Sequence, residues 1–173
     1  PGLFGPVKGK LRRGERMQIK GPNGSGKTTL MRILAGEDEA IGAVRLKPEL
    51  KIAWMRQHCE LDPEATVEGL LGGAAMLSET ELWRLLARFR LKKYRKTQLK
   101  KLSGGEQKRV EMALLYRERP DLIFLDEPTN HLDLYVQEEL QDFLVESDFT
   151  IVYVSHDPVL ESGLEANYLL TLR

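Results

Sequence analysis

The sequence predicts an α/β fold with a mainly parallel sheet. Three observations carry that expectation. Short apolar strands alternate along the chain with segments of helical length and spacing. A glycine-rich stretch, residues 21–28, lies between one such strand and a helix. A second apolar strand ends on paired carboxylates, Asp126 and Glu127, at the strand end where open parallel sheets hold ligands. The length of 173 residues suits one compact domain over residues 1–173. With 42% hydrophobic and 30% charged residues, the chain has material for a core and does not read as disordered.

Taken in order, residues 16–20 read as a strand leading into the glycine-rich loop. Residues 28–35 read as a helix, with Gly36 as its C-terminal stop. Residues 43–46 and 51–55 read as strands, and residues 66–71 and 79–89 as helices. Ser103 and Glu106 have capping-box spacing, which predicts a helix running to about Arg117. Residues 122–125 form a short apolar run suited to a buried parallel strand. Residues 134–145 have helical spacing, and residues 150–154 are β-branched and strand-like. Residues 66–101 then read as a helical subdomain inserted between the two halves of the sheet.

Charge excludes little in bulk: 26 Lys and Arg face 26 Asp and Glu, for a formal net charge of zero. The distribution says more. Nine basic residues and no acidic one lie between Arg84 and Lys101, whereas acids dominate residues 118–165. Such asymmetry can mark a basic contact surface. Cys59 is the only cysteine, which rules out an internal disulfide and fits a reducing compartment such as the cytoplasm. No apolar run approaches the length of a membrane span, and no signal-peptide pattern opens the chain. The chain begins at Pro1 and not at Met, and is read as a fragment or a processed chain.

Gly21, Pro22, Asn23, Gly24, Ser25, Gly26, Lys27 and Thr28 fit the phosphate-binding loop pattern in full. The glycines let backbone N–H groups converge on phosphate oxygens. Lys27 neutralises β/γ charge, and the Thr28 hydroxyl can ligate Mg2+. The helix that follows adds the positive end of its dipole. A strand before and a helix after give the loop its proper context, which a flexible turn would lack. Taken alone, an apolar run ending in Asp-Glu is a common strand end. With the phosphate loop upstream, Asp126 is placed to hold Mg2+ and Glu127 to polarise an attacking water. Residues 102–107 add a third site: Gly104 and Gly105 expose N–H groups at a helix start, and Ser103 adds a hydroxyl. One nucleotide does not need two such anion sites in one chain. The economical explanation is that the second faces a nucleotide held by another copy.

The order of these motifs, with Gln57 between the first two and Asp133 and His156 after the last, resembles the nucleotide-binding domain of the ATP-binding cassette superfamily over nearly the whole chain. The resemblance implies a P-loop NTPase core, cassettes that pair head to tail around two ATPs, and hydrolysis of ATP to ADP and phosphate. It further implies that Ser103 and Gly105, flanked by Gly104 and Glu106, contact the γ-phosphate on the opposite cassette. Gln57 would meet Mg2+ and the attacking water, His156 the γ-phosphate, and Asp133 the dimer seam. Thr29 joins Thr28 among the nucleotide contacts. The catalytic set is then Glu127, His156, Gln57 and Lys27, and the metal set Thr28, Gln57 and Asp126. A lone histidine is more often structural than functional. His156 is read as functional because it follows a strand in this order. His131, beside Asp126 and Asp133, lacks a Cys/His cluster and is not read as a metal ligand. His58 and Cys59 are read as packing or surface residues.

Residues 127–133, Glu-Pro-Thr-Asn-His-Leu-Asp, resemble the F subfamily of cassette proteins, as does the stretch 61–67. Only 44 residues separate Gln57 from Leu102, short for a transporter cassette. Members of that subfamily have no membrane domain, usually carry two cassettes in tandem, and many act on the ribosome as translation factors or antibiotic-resistance proteins. The resemblance thus implies a second cassette as partner, and ribosomal RNA as a further one. Two alternatives stand beside it: the ATP-binding subunit of a membrane transporter, and an ATP-sensing module with little turnover. Departures are specific. A single phosphate loop and a single signature leave half of a tandem missing. Phe4 lies too near the phosphate loop to be the aromatic that stacks on adenine. Pro158 stands where the family often has Arg. The basic run, with Trp83, Phe89 and Tyr94 interleaved, has two readings: a solvated helix face, or an RNA contact. Trp83 and Phe89 are expected to face the core.

Overall fold

The computed structural model describes residues 8–39, 42, 44–73 and 77–172. They divide into two compact units, residues 1–57, 120–130 and 141–173, and residues 58–119 and 131–140.

The first unit contains the sheet. Its strands are β1 (Arg16–Lys20), β2 (Ile52–Met55), β3 (Leu122–Asp126), β4 (Thr150–Val154) and β5 (Tyr168–Thr171). They lie in the order β2-β3-β4-β1-β5, and every neighbouring pair is parallel. The two central strands explain themselves. Leu122, Ile123, Phe124 and Leu125 of β3 and all five residues of β4 are buried, as expected for strands covered on both faces. α1 (Lys27–Ala35) leaves the end of β1 through the glycine-rich loop and stops at Gly36, whose φ of 80° is left-handed. Its Leu30 and Met31 pack with Ile19, Phe124, Val152 and Val154 in one buried cluster. Trp54 of β2 stacks on Phe124 with ring centroids 4.7 Å apart. Because the strands are parallel, their C-terminal ends share one sheet edge.

The second unit is helical. It holds α2 (Val67–Gly72), α3 (Glu79–Arg88) and α4 (Gly104–Glu118), with 3-10 turns at Lys92–Tyr94 and Leu99–Lys101. Each helix start is capped as its sequence dictates. Thr66 accepts from the N–H of Gly69, and Ser78 with Glu81 and Ser103 with Glu106 form reciprocal capping boxes. α2 packs on α3 and α4. The Arg117 guanidinium donates to the carbonyls of Leu70 and Leu71, at 2.9 and 2.6 Å, and so satisfies acceptors that the end of α2 leaves open. α5 (Leu134–Val145) starts within the residues of this unit, and α6 (Pro158–Leu164) belongs to the first.

Several expectations change. Ala43 lies outside the described residues, and residues 44–46 are irregular and not a strand. Val44 and Leu46 are about two-fifths exposed, so their apolar pattern has no sheet partner to bury it. α6 and β5 were not anticipated. The helix had a signal that went unread: Asp157 caps it and Pro158 occupies its first turn. β5 is a short edge strand whose Tyr168 and Leu169 face outward, which blurs its alternation. Phe89 is buried as expected, but Trp83 is not in the core. It lies on the surface, with its indole N–H donating to Glu79 and the Arg95 guanidinium over its ring.

Candidate functional site

The phosphate loop occupies the turn from β1 to α1. Gly24 and Gly26 have φ of 80° and 90°, a conformation that favours glycine. At Gly21 space is the constraint: a Cβ there would sit 2.6 Å from Ser25 Oγ and 3.0 Å from the Leu172 carbonyl. Pro22, Asn23 and Gly24 are exposed at the tip, and Thr29 is half-buried in the first turn of α1. The Lys27 ammonium lies over the loop and donates to the carbonyls of Gly21 and Pro22, at 2.9 and 3.1 Å. Ser25 Oγ is buried without a hydrogen-bond partner among the described residues.

Neighbouring strand ends bring the other groups of the first unit to the same sheet edge. Asp126 ends β3, and its Oδ2 accepts from the Thr28 hydroxyl at 2.8 Å. Glu127 follows in a left-handed conformation, φ 47°, held by two backbone bonds: its N–H donates to Val154 O and its carbonyl accepts from Asn130 N–H. Non-glycine residues in that region store strain and cluster at functional sites. His156 follows β4, and its Nε2 stands 3.4 Å from Glu127 Oε1. The Ser155 hydroxyl accepts from the Asp157 N–H at 3.0 Å and so shapes that turn. Gln57 is exposed just beyond β2. The sheet order therefore sets Gln57, Asp126 with Glu127, His156 and the phosphate loop at the ends of four consecutive strands.

The fit to ATP and Mg2+ can be judged from the donors. Gly21 forms a cradle that a Cβ would fill, and the orphaned Ser25 hydroxyl lies in its wall. Thr28 Oγ1 and Asp126 Oδ2 are hard oxygens within one ion's reach, the ligand type Mg2+ prefers. The residues present fit both groups.

In the second unit, Ser103 caps α4 and accepts from the Glu106 N–H at 3.3 Å, while Glu106 Oε2 accepts from the Ser103 N–H at 2.8 Å. Burial pushes the Glu106 carboxyl up, but hydrogen bonds from the Tyr94 hydroxyl and from Ser103 outweigh it and hold it below the ordinary carboxylate value. Gln107 Nε2 donates to the carbonyls of Leu99 and Leu102, tying the preceding turn to the helix start. Gly104 is open to solvent, whereas a Cβ on Gly105 would meet Val136 Cγ2 at 2.9 Å. The Asp133 carboxylate caps the start of α5, accepting from Val136 N–H at 3.0 Å. Sequence reading missed the supporting roles of Tyr94 and Val136. They stand 12 and 31 positions from the residues they support, so no local pattern reveals them.

The basic run divides in two. Arg90 pairs with Glu139 at 2.9 Å, Lys100 with Glu64 at 2.8 Å, and Arg95 with both Glu68 and Glu79. These three are paired within the unit. Arg84, Arg88, Lys92, Lys93, Lys96 and Lys101 are exposed and form no ion pair among the described residues.

The ABC transporter family model matches residues 4–130. The chain is 36% identical to the "Probable ATP-binding protein YheS" of Haemophilus influenzae, covering 97% of this chain and 27% of that protein. It is 34% identical to the "Ribosome protection protein VmlR" of Bacillus subtilis, over 90% of this chain and 29% of the other. The chain thus spans roughly a quarter of the length of these curated relatives. Among solved structures, the fold matches the dimeric post-hydrolysis state of the cassette MJ0796 bound to ADP and Pi, with a TM-score of 0.78 at 24% identity, covering 99% of this chain and 86% of that one. It also matches "RNase-L Inhibitor" with a TM-score of 0.71 at 29% identity, covering 94% and 33%. No helix among the described residues is long and apolar enough to cross a membrane. On this combination of phosphate loop, strand-end carboxylates and family match, the chain belongs to the ATP-binding cassette family as an ABC ATPase domain, and the curated relatives YheS and VmlR are ABC-F proteins.

Proposed function

We propose that this domain binds ATP with Mg2+ and hydrolyses it to ADP and phosphate when a second cassette closes on it, as part of a protein that works on the ribosome. The observation that carries the catalytic reading is the Thr28–Asp126 contact of 2.8 Å beside the Glu127–His156 approach of 3.4 Å.

The loop N–H groups and Lys27 hold the β- and γ-phosphates. Thr28, Asp126 and Gln57 are the candidate Mg2+ ligands. The ion, when bound, supplies positive charge against the β- and γ-phosphate oxygens. Glu127 accepts a proton from the attacking water and fixes its direction. His156, held within reach of Glu127, donates toward the γ-phosphate. The chemistry is positioning and charge stabilisation on a prearranged edge. Ser103, Gly104, Gly105 and Glu106 serve the nucleotide of the opposing cassette, by analogy with the family. The pair is two copies of this chain or two halves of one tandem chain; ATP binding closes it and hydrolysis reopens it.

The ribosomal part rests on residues 127–133 and on the similarity to a protein named for ribosome protection. Co-sedimentation with purified ribosomes in ATP tests it, using Glu127→Gln to prolong the closed state. A pellet containing the chain supports the reading. A chain that stays in the supernatant, and is instead recovered with a membrane protein, replaces it with the transporter reading.

A further inference from the structure

α3 and the end of α4 enclose an open groove of about 500 Å³ within the second unit. Its polar lining is unusual in kind. Arg84 and Arg88 come from one face of α3, four residues apart, and Arg117 and Arg119 from the last turn of α4 and just beyond it. Glu81, the one carboxylate among the described lining residues, is engaged by the N–H and hydroxyl of Ser78, at 2.8 and 2.6 Å. Arg84, Arg88 and Arg119 form no ion pair among the described residues. Arg117 is held by the Leu70 and Leu71 carbonyls and by Glu118, so its charge is fixed in place.

We propose that this arginine groove is a binding site for the phosphate backbone of single-stranded RNA. Three guanidiniums with no ion pair among the described residues, around one groove, call for a polyanion. Among the described residues every base lining it is arginine, whereas five of the six bases in residues 92–101 are lysine. Arginine's planar fork pairs with phosphate through two hydrogen bonds and stacks on rings; lysine acts as a point charge. The groove also has a ring. Tyr116 is partly exposed and packs edge-on against Phe89, and Arg88 lies 4.5 Å over its face. An aromatic and a guanidinium already stacked form a platform that an unstacked base can extend. An acidic peptide would use the charges but not the platform. The openness of the groove suits a strand passing through it. The choice of RNA rests on the ribosomal reading above; the groove itself does not.

The test uses a fluorescein-labelled twelve-nucleotide oligouridine and fluorescence anisotropy across a salt series. The groove variant is Arg84→Gln/Arg88→Gln/Arg119→Asn; asparagine tolerates the left-handed conformation of residue 119, and Arg117 is left in its structural role. The control, Lys92→Gln/Lys93→Gln/Lys96→Gln, removes the same charge outside the groove. Thermal melting checks that both variants fold. The groove variant is expected to lose about tenfold or more in affinity, with the salt slope falling by about 2 for three lost contacts, and the control much less. Equal losses in both variants, no loss in either, or a loss for polyglutamate without one for RNA would overturn the proposal. Ribosome co-sedimentation separates the two readings. If the chain binds oligouridine through the groove but does not bind ribosomes, the groove stands and the ribosomal reading falls. If it binds ribosomes and neither variant alters oligouridine binding, the groove falls and the ribosomal reading stands.

Discussion

Glu127 sits in a left-handed backbone conformation at the end of a buried strand, with its carboxylate 3.4 Å from His156. Glu127→Gln keeps the shape and removes the proposed base. Turnover should fall by about 100-fold or more while ATP binding persists, read by phosphate release against nucleotide binding. Unchanged turnover would mark a sensor whose Glu127 does no proton chemistry. Gly105 is constrained by space. Gly105→Ala should cost about 1–3 kcal/mol in thermal or denaturant unfolding, because its Cβ meets Val136 Cγ2 at 2.9 Å. Adding Val136→Ala should recover part of that loss, since the two changes share one contact. Cys59 behaves oppositely to a reactive thiol. Burial, then the nearby Glu111 carboxylate, pushes it up to about 11. At pH 8 it should alkylate far more slowly in the native chain than in denaturant.

At the scale of elements, helix starts carry both stability and function. α3 and α4 have the same capping box, built on Ser78 and Ser103. Ser78→Ala and Ser103→Ala should each cost about 1 kcal/mol of stability. Only Ser103→Ala should also reduce turnover, since under the proposed pairing only α4 faces the opposing nucleotide. Equal turnover in both variants would reduce residues 103–106 to a helix cap. The caps also set an acid dependence. Glu81, through Ser78, and Glu106, through Tyr94 and Ser103 against its burial, lie below the ordinary carboxylate value of 4.5. A lowered folded pKa gives stability that is present above the unfolded value and lost as pH falls through the folded one. The melting temperature should therefore drop on acidification below about pH 4.5, and Glu106→Gln should make that drop shallower. Glu111, raised chiefly by burial, has the opposite sign and weakens folding as it ionises with rising pH.

For the whole molecule, the proposed pairing makes two chains depend on each other. A single copy has its phosphate loop and its residues 103–106, and under the proposed pairing each serves a different nucleotide. If two copies pair, turnover per chain should rise with protein concentration before reaching a plateau. Constant turnover per chain across dilution would show hydrolysis by a single copy. A full-length protein with two cassettes in one chain would show the same constancy for a different reason, so the measurement belongs to this chain as it stands.

The parallel α/β class, β1 and β4 at their boundaries, α5 in full, both motif loops and the capping box at Ser103 were legible in the sequence; the matching box at Ser78 was not read there. Each of these depends on neighbours within a few positions: apolar periodicity, glycine spacing, a serine three residues before a glutamate. The F-type resemblance was legible for the same reason, in seven consecutive residues. Residues 44–46 failed as a strand because pairing and burial, not propensity, make a strand. The tertiary structure alone decided that β4 lies between β1 and β3. That placement sets His156 beside Glu127 and lets Thr28 reach Asp126 across 98 positions of sequence. It also decided which arginines are structural pairs and which line a groove. Contacts between distant segments fix both, and spacing along the chain carries no record of them.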